Sequence, residues 1–271
     1  MTAKEFSFYS IRKIILEQSK RAHVGHIGSC LSVADILAAL YGGILNIKSP
    51  DDSDRDRFIL SKGHAAIALY ACLFLKGWLS QKELDSFCVD DSFLGVHPEH
   101  RLKGIDFSTG SLGQGLPVAA GIALGARLKK VKYRSFILMS DAELNEGSVW
   151  EAAMFAAHHK LSNLVLIIDQ NGQQATGYTK DILNLEPLGK RWESFGWDVN
   201  EVNGHHIQNM RDIFKLKKPS DKPQVMIART RFGKGVSFME NKIKWYYWPM
   251  SDKEFETALE EIKIFLKNNE S

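Results

Sequence analysis

The sequence has few of the features that mark secreted, disulfide-rich or zinc-binding proteins. It contains three cysteines, Cys30, Cys72 and Cys88, and no two of them form a CxxC pair. An odd number of widely spaced cysteines indicates neither a disulfide framework nor a zinc site. We therefore expect buried, reduced thiols in a cytoplasmic protein.

Long apolar runs and an excess of one charge are also missing. Nowhere do 18 apolar residues follow one another, and the N-terminal segment "MTAKEFSFYSIRKIILEQSKRA" alternates charged and apolar residues at helical spacing. This pattern is neither that of a signal peptide nor that of a membrane span. The 35 basic and 32 acidic residues leave a formal net charge of +3. So small an excess gives no indication of a nucleic acid or membrane partner.

The chain does contain apolar runs that alternate with helical segments. "RSFILMSD", "NLVLIIDQNG" and "PQVMIARTRFGKG" are apolar runs that end in polar turns, as strands buried on both faces do. Between the first two, "EGSVWEAAMFAAHHKL" has the length and alanine content of a helix. This alternation predicts an α/β fold with a parallel sheet and helices on both faces. We interpret residues 1–271 as a single domain whose first third is helical.

Helix ends carry their own signals. Ser32 with Asp35, and Ser80 with Glu83, stand in capping-box positions, which predict that helices begin there. From Ser251 onward, a capped amphipathic helix is expected to close the chain.

The segment "SDAELNEGSVWEAA" places Asp141 where a predicted strand ends and a helix begins. Ligands bind at such strand ends in open α/β sheets, where a carboxylate can hold a cation and free helix amides can hold a phosphate. Asn171, just past the next predicted strand, and the backbone carbonyl of Gln173 would add neutral oxygens that suit magnesium. The alternative is that Asp141 caps the helix and that Asn171 and Gly172 form only a turn.

Three histidines, His26, His64 and His97, each lie beside glycine or proline in predicted loops. A single histidine is usually a structural residue, but loops carry functional sites, and neutral imidazoles suit proton transfer near neutral pH. The segment "STGSLGQGLPVAAGIALG" adds a glycine-rich loop that enters a helix. It matches neither the Walker nor the Rossmann pattern.

Taken in order, the motifs GHIGS, SKGHA, GVHPE, TGSLGQG, SDAELNEG and IIDQNG resemble the N-terminal, diphosphate-binding half of transketolase. The resemblance runs from about residue 8 to 250 and is greatest to the small N-terminal subunit of split, two-gene transketolases. It implies the thiamine diphosphate-binding fold, with thiamine diphosphate and Mg²⁺ or Ca²⁺ as cofactors. The implied reaction transfers a two-carbon ketol unit from a ketose to an aldehyde acceptor, with small sugars or sugar phosphates as substrates.

The resemblance also implies a role for each matching residue. The cation ligands would be Asp141, Asn171 and Gln173. Catalytic histidines would be His26, His64 and His97, and the substrate would contact His26, His97 and Tyr246. The cofactor would be bound by His64, Gly110, Ser111, Leu112, Asp141, Ala142, Glu146 and Asn171. Glu146 and Glu151 resemble glutamates at the subunit interface that couple paired active sites, although each is equally consistent with a charge on a helix surface.

The pyrimidine-binding and C-terminal domains of the family are not matched by this chain, so we expect them on a partner. A C-terminal transketolase-like subunit would complete the active sites, in an α2β2 heterotetramer. One alternative within the same cofactor class is a subunit of an acyloin-forming synthase. Another is a non-catalytic regulatory homologue.

Two departures from the family pattern bear on these alternatives. The family's Gly-Asp-Gly reads Ser140-Asp141-Ala142 here, and a positive φ at Ala142 would cost roughly 1 kcal/mol. Tyr246 replaces the histidine of a Trp-His-Gly motif. A phenol donates a hydrogen bond but, with a pKa of about 10, does not replace a neutral imidazole as a base. Weakened cofactor affinity is the expected consequence of the first departure. The second is equally consistent with an altered donor or acceptor and with a neutral replacement.

Overall fold

A parallel five-stranded sheet forms the centre of the computed structural model, which describes residues 6–215 and 220–269. The sheet order is β1-β2-β3-β7-β6, and every neighbouring pair is parallel. The short strands β4 and β5 form a separate antiparallel hairpin. The strands are β1 (Arg57–Leu60), β2 (Ser135–Ser140), β3 (Leu164–Gln170), β4 (Gln173–Gln174), β5 (Gly177–Tyr178), β6 (Asp198–Asn203) and β7 (Gln224–Arg229).

Helices connect and cover these strands. A π-helical segment, Leu40–Ile44, and two 3₁₀ turns, Gly63–Ala65 and Ala142–Asn145, interrupt the regular pattern. The α-helices of the described residues are α1 (Phe8–Ala22), α2 (Ile27–Ser32), α3 (Ala34–Ala39), α4 (Ala66–Leu75), α5 (Gln81–Leu84), α6 (Gly115–Leu128), α7 (Gly147–His158), α8 (Thr179–Ile182), α9 (Leu188–Ser194), α10 (Ile207–Lys215), α11 (Lys244–Tyr247) and α12 (Asp252–Asn269).

The sheet separates two hydrophobic cores because successive side chains of a strand point to opposite faces. In β2, Phe136 and Leu138 face a core shared with α1, α3, α4, α10 and α12. Ile137 and Met139 face the other core, shared with α6, α7 and α9. The prediction of a parallel sheet with helices on both faces is confirmed.

A tryptophan cluster lies on the α7 side of the sheet. Trp192 is fully buried, and its ring centroid lies 5.2 Å from that of Trp150 and 4.9 Å from that of Trp197. Trp150 also stacks on Phe195 and donates from Nε1 to the backbone carbonyl of Leu144 at 2.9 Å. The cluster therefore connects α7 and α9 with the 3₁₀ turn that follows β2.

Three of the five central strands were predicted from their apolar runs, and two were not. β1 lies in the first third of the chain, for which only helices were expected, and it is four residues long, of which the first is charged. β6 is an edge strand whose residues are only partly buried, so its sequence is polar and carries no apolar run. The helix from Ser251 is confirmed as α12, which begins at Asp252.

Of the two predicted capping boxes, one is present. Ser80 caps α5, and the Glu83 carboxylate accepts from the Ser80 amide at 2.7 Å. The other prediction was wrong, because Ser32 is the last residue of α2 and does not start a helix. Its Oγ donates instead to the carbonyl of Ser29, at 2.9 Å, and to the carboxylate of Asp169, at 2.7 Å. Ser32 and Asp35 instead each make a long-range contact, Ser32 with Asp169 and Asp35 with Arg12.

Asp35 forms a buried ion pair with Arg12, whose Nη2 lies 2.6 Å from Oδ2. His205 donates to the same carboxylate from Nδ1 at 2.7 Å, since its Nε2 accepts from the Arg231 amide. Burial opposes ionisation of Asp35, but the charge of Arg12 and these hydrogen bonds outweigh it and lower the pKa to about 2. The Arg12–Asp35 pair joins α1 to α3 on the side of the sheet that α1, α3, α4, α10 and α12 cover.

The cysteines are unpaired, as expected, but they are not all buried. Cys30 and Cys72 are buried, whereas Cys88 is exposed in the loop after α5, with a φ of 57°. The expectation of three buried thiols was wrong at this position. Among the described residues, no helix is long and apolar enough to cross a bilayer.

We predict that Arg12→Met destabilises the fold by about 3–5 kcal/mol, because it leaves the buried Asp35 carboxylate without its cation. The neighbouring Lys13→Met is the matched control. Lys13 pairs with Glu17 on the exposed face of α1, so its loss should cost less than about 1 kcal/mol. Urea unfolding of both variants measures the difference. Equal effects would show that the Arg12 pair contributes no more than a surface pair.

Candidate active site

The residues predicted to bind ligands gather at one edge of the sheet. β1 leads into Lys62 and His64, β2 into Asp141, β3 into Asn171 and β7 into Thr230. Because the strands are parallel, these residues follow carboxyl ends that lie side by side. This edge is where open α/β sheets place their ligands.

A buried ion pair lies at the centre of this edge. Lys62 and Asp169 are both fully buried, and the Lys62 ammonium donates to Asp169 Oδ2. The same carboxylate accepts from Ser32 Oγ at 2.7 Å, from Asn171 Nδ2 at 3.0 Å and from the Thr230 hydroxyl. The pair therefore ties α2 and the ends of β1, β3 and β7 together. Lys62 and Asp169 lie within SKGHA and IIDQNG, but sequence reasoning gave them no role.

The structure brings the three predicted cation ligands to one turn. Asp141 Oδ1 accepts from the Ala142 amide at 2.9 Å, and Oδ2 accepts from the Gly172 amide at 2.8 Å. Gly172 lies between Asn171 and Gln173, so the Asp141 carboxylate is fixed against the segment that carries the other two. Asp141 thus caps the 3₁₀ turn, as the alternative interpretation held. It also accepts a hydrogen bond from Gly172, in the turn that follows β3.

The electrostatics of Asp141 fit a divalent cation. Burial, followed by the charge of Asp169, raises its pKa to about 7 despite the two amide hydrogen bonds. Within residues 6–215 and 220–269 it has no ion-pair partner, since Lys62 is bound to Asp169. In the same ranges no three His, Cys, Asp or Glu side chains form a metal cluster. A cation here would therefore draw on amide and carbonyl oxygens, a donor set that suits magnesium.

Asn171 and its surroundings supply those oxygens. Asn171 Oδ1 accepts one hydrogen bond, from the Gln173 amide at 2.9 Å, and an amide oxygen has a second lone pair. A cleft of about 290 Å³ opens beside Asp141, Asn171 and Thr230. The residues present thus fit a cation with an attached phosphate.

The changes at Ser140 and Ala142 introduce no backbone strain. Ala142 begins the 3₁₀ turn with a negative φ, so its methyl group does not occupy the left-handed region. Ser140 Oγ accepts from the Glu143 amide at 3.2 Å. The cost that a positive φ would bring to Ala142 does not arise.

Glu143 is a buried acid that sequence reasoning missed. It is fully buried, and its Oε1 accepts from the Gly113 amide at 2.9 Å and from the Ser61 hydroxyl. Burial raises the pKa of the carboxyl. Glu143 thereby fastens the glycine-rich loop to the ends of β1 and β2.

The glycine-rich loop approaches its neighbours closely. Gly110 has a φ of 152°, and a Cβ there would lie 3.3 Å from the His97 ring. A Cβ on Gly113, which has a φ of 86°, would lie 2.5 Å from the Cβ of Glu146. Ser111 and Leu112 lie between the two glycines, so the loop segment predicted to bind cofactor lies between His97 and Glu146.

The three predicted histidines share one environment. The rings of His26 and His64 lie 5.6 Å apart, and His64 Nε2 lies 2.8 Å from Ser29 Oγ, a partner not predicted. Burial lowers the pKa of His26, His64 and His97, most strongly for His64, where the charge of Lys62 adds to it. All three imidazoles are therefore neutral near pH 7. His26 Nδ1 is buried and has no hydrogen-bond partner among the described residues.

Tyr246 lies at the same edge, with its ring centroid 6.1 Å from that of His64. Its hydroxyl donates to the backbone carbonyl of Gln173 at 3.1 Å, and its own carbonyl accepts from the His26 amide at 2.9 Å. Glu151, in contrast, is exposed on α7, and no described hydrogen bond joins it to this edge.

Comparison with known proteins identifies what this arrangement is similar to. The matching family model is described as transketolase, thiamine diphosphate binding domain, and covers residues 4–264. The chain is 42% identical over 255 residues to an apulose-4-phosphate transketolase subunit of Actinobacillus succinogenes, covering 93% of this chain and 92% of that protein. It is 38% identical over 257 residues to the 6-deoxy-6-sulfo-D-fructose transketolase subunit SqwG of a Clostridium species, covering 93% and 94%.

Solved structures agree with the sequence comparison. The crystal structure of transketolase from Campylobacter jejuni matches with a TM-score of 0.88 and 30% identity, over 97% of this chain but only 43% of that one. The chain thus spans less than half of that transketolase and nearly the whole of the two subunits.

We predict that Ala142→Gly, which restores the family's residue, gains no affinity for thiamine diphosphate. It should cost about 0.5–1 kcal/mol of stability, because glycine loses more backbone entropy than alanine in a helical turn. Calorimetry with cofactor and magnesium, on the complex with the partner subunit, tests the first part, and urea unfolding tests the second. Binding ten-fold tighter in the variant would show that the methyl group obstructs the cofactor.

We predict that His64 makes stability depend on pH. Its folded-state pKa lies well below 6.5, so below pH 6.5 the unfolded chain binds a proton that the folded chain does not. This contribution to stability is therefore present above pH 6.5 and is lost on acidification. Urea midpoints at pH 7.5 and 5.5 should differ less for His64→Asn than for the wild-type chain. Equal differences would contradict a buried neutral imidazole.

Proposed function

This chain belongs to the transketolase family and corresponds to that family's thiamine diphosphate binding domain, and we propose that it is the N-terminal subunit of a two-chain enzyme. The enzyme transfers a two-carbon ketol unit from a ketose to an aldehyde. The observation that carries the proposal is the turn where Asp141 Oδ2 meets the Gly172 amide at 2.8 Å, between Asn171 and Gln173. That turn combines a carboxylate without a described counterion with two neutral oxygens. The proposal is also supported by the order of the sequence motifs and by relatives that are about as long as this chain.

Different residues of this chain would bind the cation and the cofactor. Asp141, Asn171 and the Gln173 carbonyl would hold Mg²⁺ or Ca²⁺, which would supply positive charge for a diphosphate. The Ala142 amide would act through Asp141, whose Oδ1 accepts from it at 2.9 Å. His64 and the loop residues Gly110, Ser111 and Leu112 line the cofactor, with Glu146 behind the loop.

Bound thiamine diphosphate supplies the electron sink that ketol transfer needs. The protein's part is to bind, to orient and to move protons. His26 and His97, which are neutral near pH 7, hydrogen-bond to the hydroxyls of the sugar and transfer protons there. The buried, unpartnered Nδ1 of His26 is consistent with a hydrogen bond made only to a ligand.

A C-terminal partner completes the active site. Support comes from apolar side chains that the chain leaves exposed on α6 and α7, where Leu128 is 75%, Met154 53% and Phe155 40% exposed. α6 and α7 pack against each other, and exposed large apolar side chains on adjoining helices are a feature of protein interfaces. Glu146 and Glu151, at the start of α7, face the subunit interface of an α2β2 heterotetramer.

The substrate is a small ketose that carries an acidic group. The two relatives are named for apulose-4-phosphate and for 6-deoxy-6-sulfo-D-fructose, and both names describe sugars with a phosphate or sulfonate substituent. The acidic group is bound mainly by the partner subunit, and the histidines of this chain bind the hydroxyls.

The test reconstitutes the enzyme. The chain is mixed with its C-terminal partner, thiamine diphosphate and Mg²⁺, and ketol transfer is assayed over a panel of phosphorylated and sulfonated ketoses. We expect transfer with the wild-type complex and a loss of at least about 100-fold with Asp141→Ala, because Asp141 is the one charged side chain among the three proposed protein ligands of the cation. Asp221→Ala is the control, since Asp221 pairs with Lys160 on the surface and should leave the rate unchanged.

Other results would point to the alternatives. Release of carbon dioxide from pyruvate without ketol transfer would favour an acyloin-forming synthase. Absence of cofactor binding by the wild-type complex, measured by calorimetry, would favour a non-catalytic homologue.

A further inference from the structure

We propose that Tyr246 is a positioning residue that holds the backbone carbonyl of Gln173 in place for the divalent cation. This inference rests on the proposed function, since it concerns the same cation. It gives the residue that replaces the family's histidine a role other than contact with the sugar.

Tyr246 is held in place by contacts within this chain. It lies on α11, is 5% exposed, and its ring stacks on that of Phe232 with centroids 4.6 Å apart and planes at 26°. From this position its hydroxyl donates to the Gln173 carbonyl at 3.1 Å. A stacked, buried ring has little freedom to swing its hydroxyl elsewhere, so the hydrogen bond fixes the direction of the carbonyl.

The hydrogen bond leaves the carbonyl able to bind a cation. A carbonyl oxygen has two lone pairs, and the phenol uses one of them. A phenol, with an ordinary pKa of about 10, keeps its proton near pH 7, so the Tyr246 hydroxyl remains a donor to this carbonyl. The second lone pair is available to the cation.

The remainder of the turn is held by independent contacts. Asn171 Oδ1 accepts from the Gln173 amide at 2.9 Å, and the Gly172 carbonyl accepts from the Thr179 amide at 3.0 Å. These contacts fix the peptide on the amino side of Gln173. The carbonyl belongs to the next peptide, where Gln174 pairs with Gly177 in the β4–β5 hairpin and where the Tyr246 hydroxyl contacts the carbonyl oxygen itself.

Tyr246 also reaches the substrate side of the site, through its backbone. Its carbonyl accepts from the His26 amide at 2.9 Å, and a Cβ on Gly25 would lie 2.8 Å from the same oxygen. The main chain of Tyr246 thus positions the His26 loop while its side chain positions the Gln173 carbonyl. Tyr246→Phe removes only the hydroxyl and leaves the backbone contact and the stacking intact.

Tyr247 offers a matched control. Its hydroxyl also donates to a backbone carbonyl, that of Ala175, at 2.6 Å, two residues beyond Gln173. Tyr247 is 57% exposed, and Ala175 is not a proposed ligand. Tyr247→Phe therefore removes the same chemical group from the neighbouring residue without touching the cation.

The experiment measures cation binding separately from activity. Mn²⁺ is titrated into the complex of this chain with its C-terminal partner and saturating thiamine diphosphate, and free Mn²⁺ is followed by electron paramagnetic resonance. We expect the Kd for Mn²⁺ to rise about 3- to 10-fold in Tyr246→Phe, the range of one neutral hydrogen bond, and to stay unchanged in Tyr247→Phe. At saturating Mn²⁺, thiamine diphosphate should bind both variants as it binds the wild type.

The outcomes separate this inference from the proposed function. If the wild-type complex binds no Mn²⁺ with thiamine diphosphate, the proposed function fails, and this inference fails with it. If the wild type binds Mn²⁺ and Tyr246→Phe binds equally well or more tightly, only the inference is overturned. An equal loss in both phenylalanine variants also overturns it, since the effect would then not act through Gln173.

Discussion

The buried ion pair between Lys62 and Asp169 is the constraint on which the rest of the site depends. A charge removed from water is costly unless it is paired and hydrogen-bonded, and Asp169 meets this requirement with four donors. Those donors come from α2 and from the ends of β1, β3 and β7. Satisfying one buried carboxylate therefore sets the positions of the segments that carry His64, Asn171 and Thr230.

The same pair explains why Asp141 has no positively charged partner among the described residues. The charge of Lys62 favours ionisation of Asp141, but its ammonium is bound to Asp169. Asp141 is left beside a second carboxylate, with two backbone amides as its hydrogen-bond donors. The burial and the neighbouring charge that raise the pKa of Asp141 also favour a bound cation, since either a proton or a cation neutralises this carboxylate. Because Lys62 pairs with Asp169, the proposed cation would supply the positive charge that Asp141 otherwise lacks.

The fold and many of the residues that gather at the candidate site could be predicted from the sequence, and what could not be predicted has physical causes. The apolar runs of β2, β3 and β7 arise because these strands are buried on both faces, whereas β1 is too short and β6 too exposed to show one. Local spacing suggested a cap at Ser32, but its partner Asp169 lies 137 residues away. Lys62 and Asp169 are 107 residues apart, so only folding reveals that they pair. The sign of φ at Ala142 likewise depends on the turn in which it lies.

The tryptophan cluster on the α7 side has an optical consequence. Trp150 donates to the Leu144 carbonyl at 2.9 Å, within the turn that begins directly after Asp141, while its ring lies against Trp192 and Phe195. Any shift of that turn changes the polarity around one indole and its distance from a second. The intrinsic fluorescence of the chain is therefore a built-in reporter of events at the sheet edge, without an added label.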